Sequence, residues 1–185
     1  MQQRMCWIHT ILAITAATVM AMTISGTMPL FPAQKQESVQ DRLRILEDRE
    51  AIRNLLMDYG KFLDQRDFAA FSGLFAEKDG EWIGGMGNAK GRQAILKLME
   101  ESIGKDTKGL GASNYHIFTN ETIRVNGDRA EANTKWLFVV QAESGRPQLF
   151  YLGHYEDTFM RENAEWKFQR RLVYGDIPKD DPLAK

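Results

Sequence analysis

The second half of the chain constrains the fold most. From Ala112 to Tyr174, runs rich in β-branched and aromatic residues follow one another with only short turns between them. They are Tyr115 to Val125, Ala130 to Ala142, Leu149 to Met160 and Trp166 to Tyr174. Asn126-Gly127 between the first two is a strong hairpin signal, because both residues accept the positive φ angles of a tight turn. Ser144-Gly145-Arg146-Pro147 and Glu162-Asn163-Ala164 supply the other two turns. Four such strands predict an antiparallel meander, whose apolar face needs a cover.

The first half supplies the cover. Ser38 to Gln65 carries Ile45, Ile52, Leu55, Leu56, Tyr59 and Leu63 at helical spacing, with Asp41, Glu47, Asp48 and Glu50 enriching its early part in acid. Asp67 is placed to cap a short second helix containing Phe68, Phe71, Leu74 and Phe75. Glu81-Trp82-Ile83 reads as a short strand closed by Gly84, Gly85 and Gly87. Gly91 to Ile103 reads as a third helix, and Lys105 to Gly111 as a loop. The expected class is therefore α+β: a curved, mostly antiparallel sheet forming a cone, packed against three N-terminal helices. The hollow between the layers is a natural small-molecule pocket.

Residues 1–34 combine a short start carrying Arg4, an apolar stretch from Ile8 to Ile24, and the breakers Gly26, Pro29 and Pro32. That order reads as an export signal or an N-terminal membrane anchor, with a start codon placed too far upstream as the third reading. The first predicts a periplasmic or secreted protein, the second a membrane-attached one, the third a cytoplasmic one. One domain over residues 39–178 and a polar tail over 179–185 complete the expected organisation.

Composition excludes several function classes. With 24 Lys+Arg against 25 Asp+Glu the chain offers no basic surface, so nucleic acid is not an expected partner. The single cysteine, Cys6, lies in the N-terminal segment, and the three histidines, His9, His116 and His154, have no metal-ligand spacing. Dinucleotide, phosphate-loop and serine-hydrolase motifs are absent from the sequence. No metal or other cofactor is expected, and a small organic molecule is the expected ligand.

An ordered set of short motifs resembles the SnoaL-like branch of the nuclear-transport-factor-like superfamily. It comprises Glu50-Ala51-Ile52-Arg53-Asn54-Leu55-Leu56 with Tyr59 and Asp64, then Phe71 with Leu74-Phe75-Ala76, Gly91-Arg92 with Ala94-Ile95, His116 with Asn120, Tyr155 with Asp157, and Trp166 with Phe168. Within that superfamily the chain is similar to the lindane dehydrochlorinase and scytalone dehydratase enzymes. The resemblance implies a His–Asp pair, with His116 taking a proton from substrate carbon and Asp64 orienting its ring. It implies substrate contacts from Asn120 and Arg171, and a homodimer or homotrimer. Tyr59 stands where the dehydrochlorinase carries a lysine. A tyrosine at about that place in a more distant isomerase donates to an oxyanion.

Chemically, an imidazole suits proton abstraction near neutral pH, and a carboxylate on its far nitrogen fixes the tautomer. Tyr59, Asn120 or Arg171 could hold a carbonyl or developing oxyanion. Trp82 and Trp136 are expected at the pocket wall or in the core. Each site assignment has a structural alternative: Asp64 as a helix terminator, His116 as a core residue, Asn120 beside a bulge, Arg171 as a solvated strand residue. The functional expectation is cofactor-independent lyase or isomerase chemistry, namely dehydration, elimination or enolisation, with a non-catalytic binding protein as the alternative.

Overall fold

The computed structural model describes residues 38–104 and 113–184. The N-terminal stretch read as an export signal or anchor, and the Lys105 to Gly111 loop, lie outside the described residues. Among the described residues, no helix is long and apolar enough to cross a membrane.

Helix α1 spans Val39–Gln65. Ser38 caps it, its hydroxyl accepting the Asp41 N–H at 3.1 Å. Arg66 ends it in the left-handed region at φ 61°. The buried stripe is Ile52, Leu55, Leu56, Tyr59 and Leu63, so only the C-terminal half of the helix is seated on the core. Val39, Leu43 and Leu46 in the N-terminal half are exposed. Asp48 is not a solvated dipole acid as its position suggests. It is buried, accepting from Trp166 Nε1 at 3.1 Å and from Arg161. Helix α2, Phe68–Gly73, is capped by Asp67, whose Oδ1 accepts the Ala70 N–H at 3.0 Å. Helix α3 spans Arg92–Ser102 and buries Ile95 and Met99.

Six strands form one sheet: β1 (Glu81–Gly84), β2 (Gly87–Lys90), β3 (Asn114–Asn126), β4 (Arg129–Gln141), β5 (Pro147–Glu162) and β6 (Glu165–Ile177). The sheet order is β2-β1-β6-β5-β4-β3. The meander β3 to β6 is antiparallel throughout, whereas β1 runs parallel to β6, aligning Trp82 with Arg171. The glycine-rich stretch after Trp82 is a hairpin that returns as β2, a strand the turn residues concealed.

The expected cone is incorrect. The sheet is mixed and open, neither closed nor strongly curled, with β2 and β3 as its two edges. Closure would need a strand pairing between those edges, and the linear order contains none. Burial comes from the helices laid against one face. Buried Ile52, Tyr59, Phe71, Phe75, Phe159 and Phe168 belong to the core between the layers.

Bulges decide where side chains point. On β3, Thr119 faces Lys135 and Thr122 faces Asn133, so β3 carries one extra residue there. Asn120 sits in that bulge at φ 54°. On β6, Arg170 faces Thr158 while Phe168 faces Phe159, so Gln169 is extra and the inward set changes parity. On β5, Tyr151 faces Phe138 and Leu149 faces Val139, leaving Phe150 extra.

Candidate active site

The site begins where α1 ends. Gly60 brings the helix close to β3: a Cβ built on it would lie 2.8 Å from a Phe118 ring carbon and 3.5 Å from His116 Cβ. One turn later Asp64 projects toward the same strand. His116 Nδ1 lies 2.6 Å from Asp64 Oδ1, and the His116 backbone N–H donates to Oδ2 at 2.9 Å. Asn114 Nδ2 also donates to Oδ1, at 2.7 Å. Three donors thus converge on one carboxylate. Side-chain exposure is 11% for His116 and 18% for Asp64, shielded enough to strengthen the pair yet within reach of a ligand. The His116 ring lies 4.6 Å from the Phe138 ring, centroid to centroid.

His116 opens onto a cavity of about 330 Å³. Aromatic rings dominate the wall, and Trp136 is nearly parallel to both Tyr151 (16°) and Tyr155 (18°). Gly153, opposite Trp136 on β5, makes room for that indole: a Cβ there would lie 2.5 Å from a Trp136 ring carbon. Tyr59 Oη accepts from Trp82 Nε1 at 2.9 Å. Burial raises the Tyr59 hydroxyl above the ordinary tyrosine range, opposed by the nearby Arg171 charge and the bond from Trp82.

The structure brings together Asp64 and His116, and sets Tyr59, Trp82 and Trp136 with His116 around the cavity. It does not bring Asn120 or Arg171 to that wall. Asn120 is exposed in its bulge, accepting from its neighbour Thr119 Oγ1 at 3.0 Å. Arg171 is neither solvated nor pocket-lining but fully buried. It forms two 2.7 Å hydrogen bonds to Asp157, with its guanidinium 3.9 Å from the Tyr59 ring centre and 4.0 Å from that of Tyr155. Burial works against this cation, but the charge and hydrogen bonds of Asp157, with Tyr59 and Tyr155, together raise the Arg171 pKa.

Sequence reasoning missed Asn114, Phe138, Phe150, Met86 and Asp180, although Asn114 shares His116's strand face by period two and could have been found that way. Among the described residues, no cluster of three or more His, Cys, Asp or Glu could hold a metal ion.

A family model described as SnoaL-like domain matches residues 44–172. An uncharacterised protein of Mycobacterium tuberculosis is 27% identical over 128 residues, covering 69% of this chain and 84% of that protein. An NTF2-like protein with a cystatin-like fold from Novosphingobium aromaticivorans is 35% identical at a TM-score of 0.63, covering 71% of this chain and 84% of that one. Two further solved structures share the fold. One is a candidate scytalone dehydratase from the same organism, 23% identical at a TM-score of 0.59, covering 76% of this chain and 95% of that one. The other is LinA, 24% identical at a TM-score of 0.61, covering 77% and 94%. At those identities the likeness speaks to architecture alone.

Proposed function

The chain belongs to the SnoaL-like domain family, and on that premise we propose that it is a cofactor-independent lyase or isomerase acting on a small uncharged ring compound. The observation that carries this reading is the Asp64–His116 contact of 2.6 Å at the wall of an aromatic cavity. With Nδ1 engaged by Asp64, Nε2 is the ring nitrogen left to take a proton from carbon. Among the described residues, neither Lys nor Arg lines the cavity, which disfavours an anionic ligand. A candidate scytalone dehydratase and LinA share this fold, which makes dehydration and elimination the reaction classes to test first.

For a β-hydroxy ketone the steps balance as follows. Nε2 takes the proton α to the carbonyl, and the C–H electron pair enters an enolate. Tyr59, its oxygen already accepting from Trp82, donates its own hydroxyl proton as a hydrogen bond to the enolate oxygen. The β-hydroxyl then leaves with the proton returned by the imidazolium, giving the unsaturated ketone and water.

The test uses two probe sets, cyclic β-hydroxy ketones and polychlorinated cyclohexanes, scored for loss of water or chloride. His116→Ala should lower kcat/KM on a converted probe by about 10²–10⁴-fold while leaving the circular dichroism unchanged. Equal turnover by the variant would rule out His116 as the base. Equal capture of a probe by both proteins, with conversion by neither, would favour the non-catalytic binding alternative, which the aromatic wall would also serve.

A further inference from the structure

Behind the imidazole and its carboxylate the polar chain continues for two more residues. Asn114 is 7% exposed, buried at the start of β3. Its Nδ2 donates to Asp64, and its Oδ1 faces Arg66 Nη2 at 3.4 Å. Arg66 also donates from Nη1 to the Leu63 carbonyl at 3.1 Å, which ties the guanidinium to the end of α1. The left-handed turn at Arg66 folds this side chain back beside the helix it terminates.

The order of donors and acceptors leaves no choice of orientation. Arginine can only donate, and an ionised carboxylate can only accept. An asparagine between them must therefore point its oxygen at Arg66 and its amide nitrogen at Asp64. Burial lowers the Arg66 pKa and the Asp64 charge pulls it back, so cation and carboxylate sense each other across the amide.

We propose that Asn114 and Arg66 are positioning residues, a relay holding the Asp64 carboxylate in the one rotamer that keeps the proton of His116 on Nδ1. The inference rests on the acid–base reading of His116 only for its catalytic use; the proton's location is a separate property of the folded chain. Asn114 is the side-chain donor, beyond His116 itself, that saturates Oδ1 in that rotamer. Without it Oδ1 loses a partner in a shielded site. The carboxylate then turns, and the imidazole samples the Nε2–H form, which presents no lone pair to the cavity.

The experiment needs no substrate. The full chain, labelled with ¹⁵N at histidine, is examined by NMR at neutral pH, with His116→Gln identifying the His116 signals. The wild type is expected to carry the Nδ1–H form of His116 as its dominant tautomer. Asp64→Asn and Asn114→Ala should each convert it to a mixture with substantial Nε2–H, and Arg66→Met should move it the same way by a smaller amount. Should Asn114→Ala fail to fold, Arg66→Met carries the test, since Arg66 is only half-buried and caps the helix through its backbone. Unchanged His116 ring signals in a folded Asn114→Ala protein, or in Arg66→Met where that variant alone is available, overturn the relay. A shift in Asn114→Ala with none in Arg66→Met removes Arg66 from it. A tautomer shift in a protein whose turnover ignores His116→Ala would keep the relay and discard the catalytic reading; the converse pair of results would do the reverse.

Discussion

At the scale of single residues, Tyr59 is committed on three sides. Its oxygen accepts from Trp82, its ring covers the Arg171 guanidinium, and its edge meets Phe168 and Tyr155. Removing the hydroxyl strands a buried indole N–H, which costs about 1–3 kcal/mol. Tyr59→Phe is therefore expected to lower stability by that amount in urea unfolding. Once Tyr59 is phenylalanine, the further change Trp82→Phe should cost about 1 kcal/mol less than it does in the wild type. Simple additivity of the two losses would show that the bond contributes nothing. Single residues also mark the limits of sequence reading. Asp64 and His116 were legible through the resemblance, which places a carboxylate near the end of the opening helix and a histidine on the first long strand. Asn120 and Arg171 were not, because each lies at or beyond an inserted residue that reverses the in–out alternation. The bulge at Asn120 stood among the structural alternatives, whereas no sequence signal marked the insertion at Gln169.

At the scale of elements, the contact between α1 and β3 sets the distance across the site. At Gly60 the helix approaches β3 closely, and the place of its missing Cβ is taken by the Phe118 ring. Gly60→Ala improves helix propensity by roughly 1 kcal/mol, yet it forces ring and helix apart at a packed interface, which costs about 1–3 kcal/mol. The second effect wins, so the urea midpoint should fall, and the ¹⁵N signals of His116 should broaden or shift as Asp64 retreats. A rise in the midpoint would mean that the interface yields without strain. Helix identities were readable here because apolar stripes and turn residues coincide: Asp67 caps α2 as its position predicts, and α1 follows directly on Ser38, where its expected stretch begins. The strand β2 was unreadable, since Gly87-Asn88-Ala89-Lys90 carries no β-branched residue and is defined as a strand by its pairing with β1. The curl of the sheet was misread for a related reason. Strand count and length follow from local pattern, but closure depends on which edges meet, and β1 inserts beside β6 rather than bridging to β3.

At the scale of the whole molecule, the core is built around a charge. Arg171 and Asp157 are both buried, and the guanidinium lies against the rings of Tyr59, Tyr155 and Phe168. A buried pair of this kind contributes little net stability by itself, but it fixes which rings face which strand. Its consequence for pH lies in those rings. Burial raises the hydroxyl pKa of Tyr59 and, further still, of Tyr155; the Arg171 charge opposes the shift in both without cancelling it. A raised folded-state pKa means that the native protein binds its phenolic protons more tightly than the unfolded chain does. That contribution is fully present below about pH 10, the ordinary tyrosine value, and is lost as pH rises from there through the folded-state values. Alkaline titration followed by tyrosinate absorbance and circular dichroism together should therefore resolve two groups among the five tyrosines. Tyr59 and Tyr155, both buried, should ionise only as the circular dichroism collapses, so part of the tyrosinate absorbance should rise together with that loss. Tyr155→Phe should move the collapse to higher pH, because one proton fewer is then released on unfolding. Ionisation of all five tyrosines in a protein that keeps its native dichroism would mean that water reaches the layer between helices and sheet. The shielding that strengthens the Asp64–His116 contact would then be absent as well.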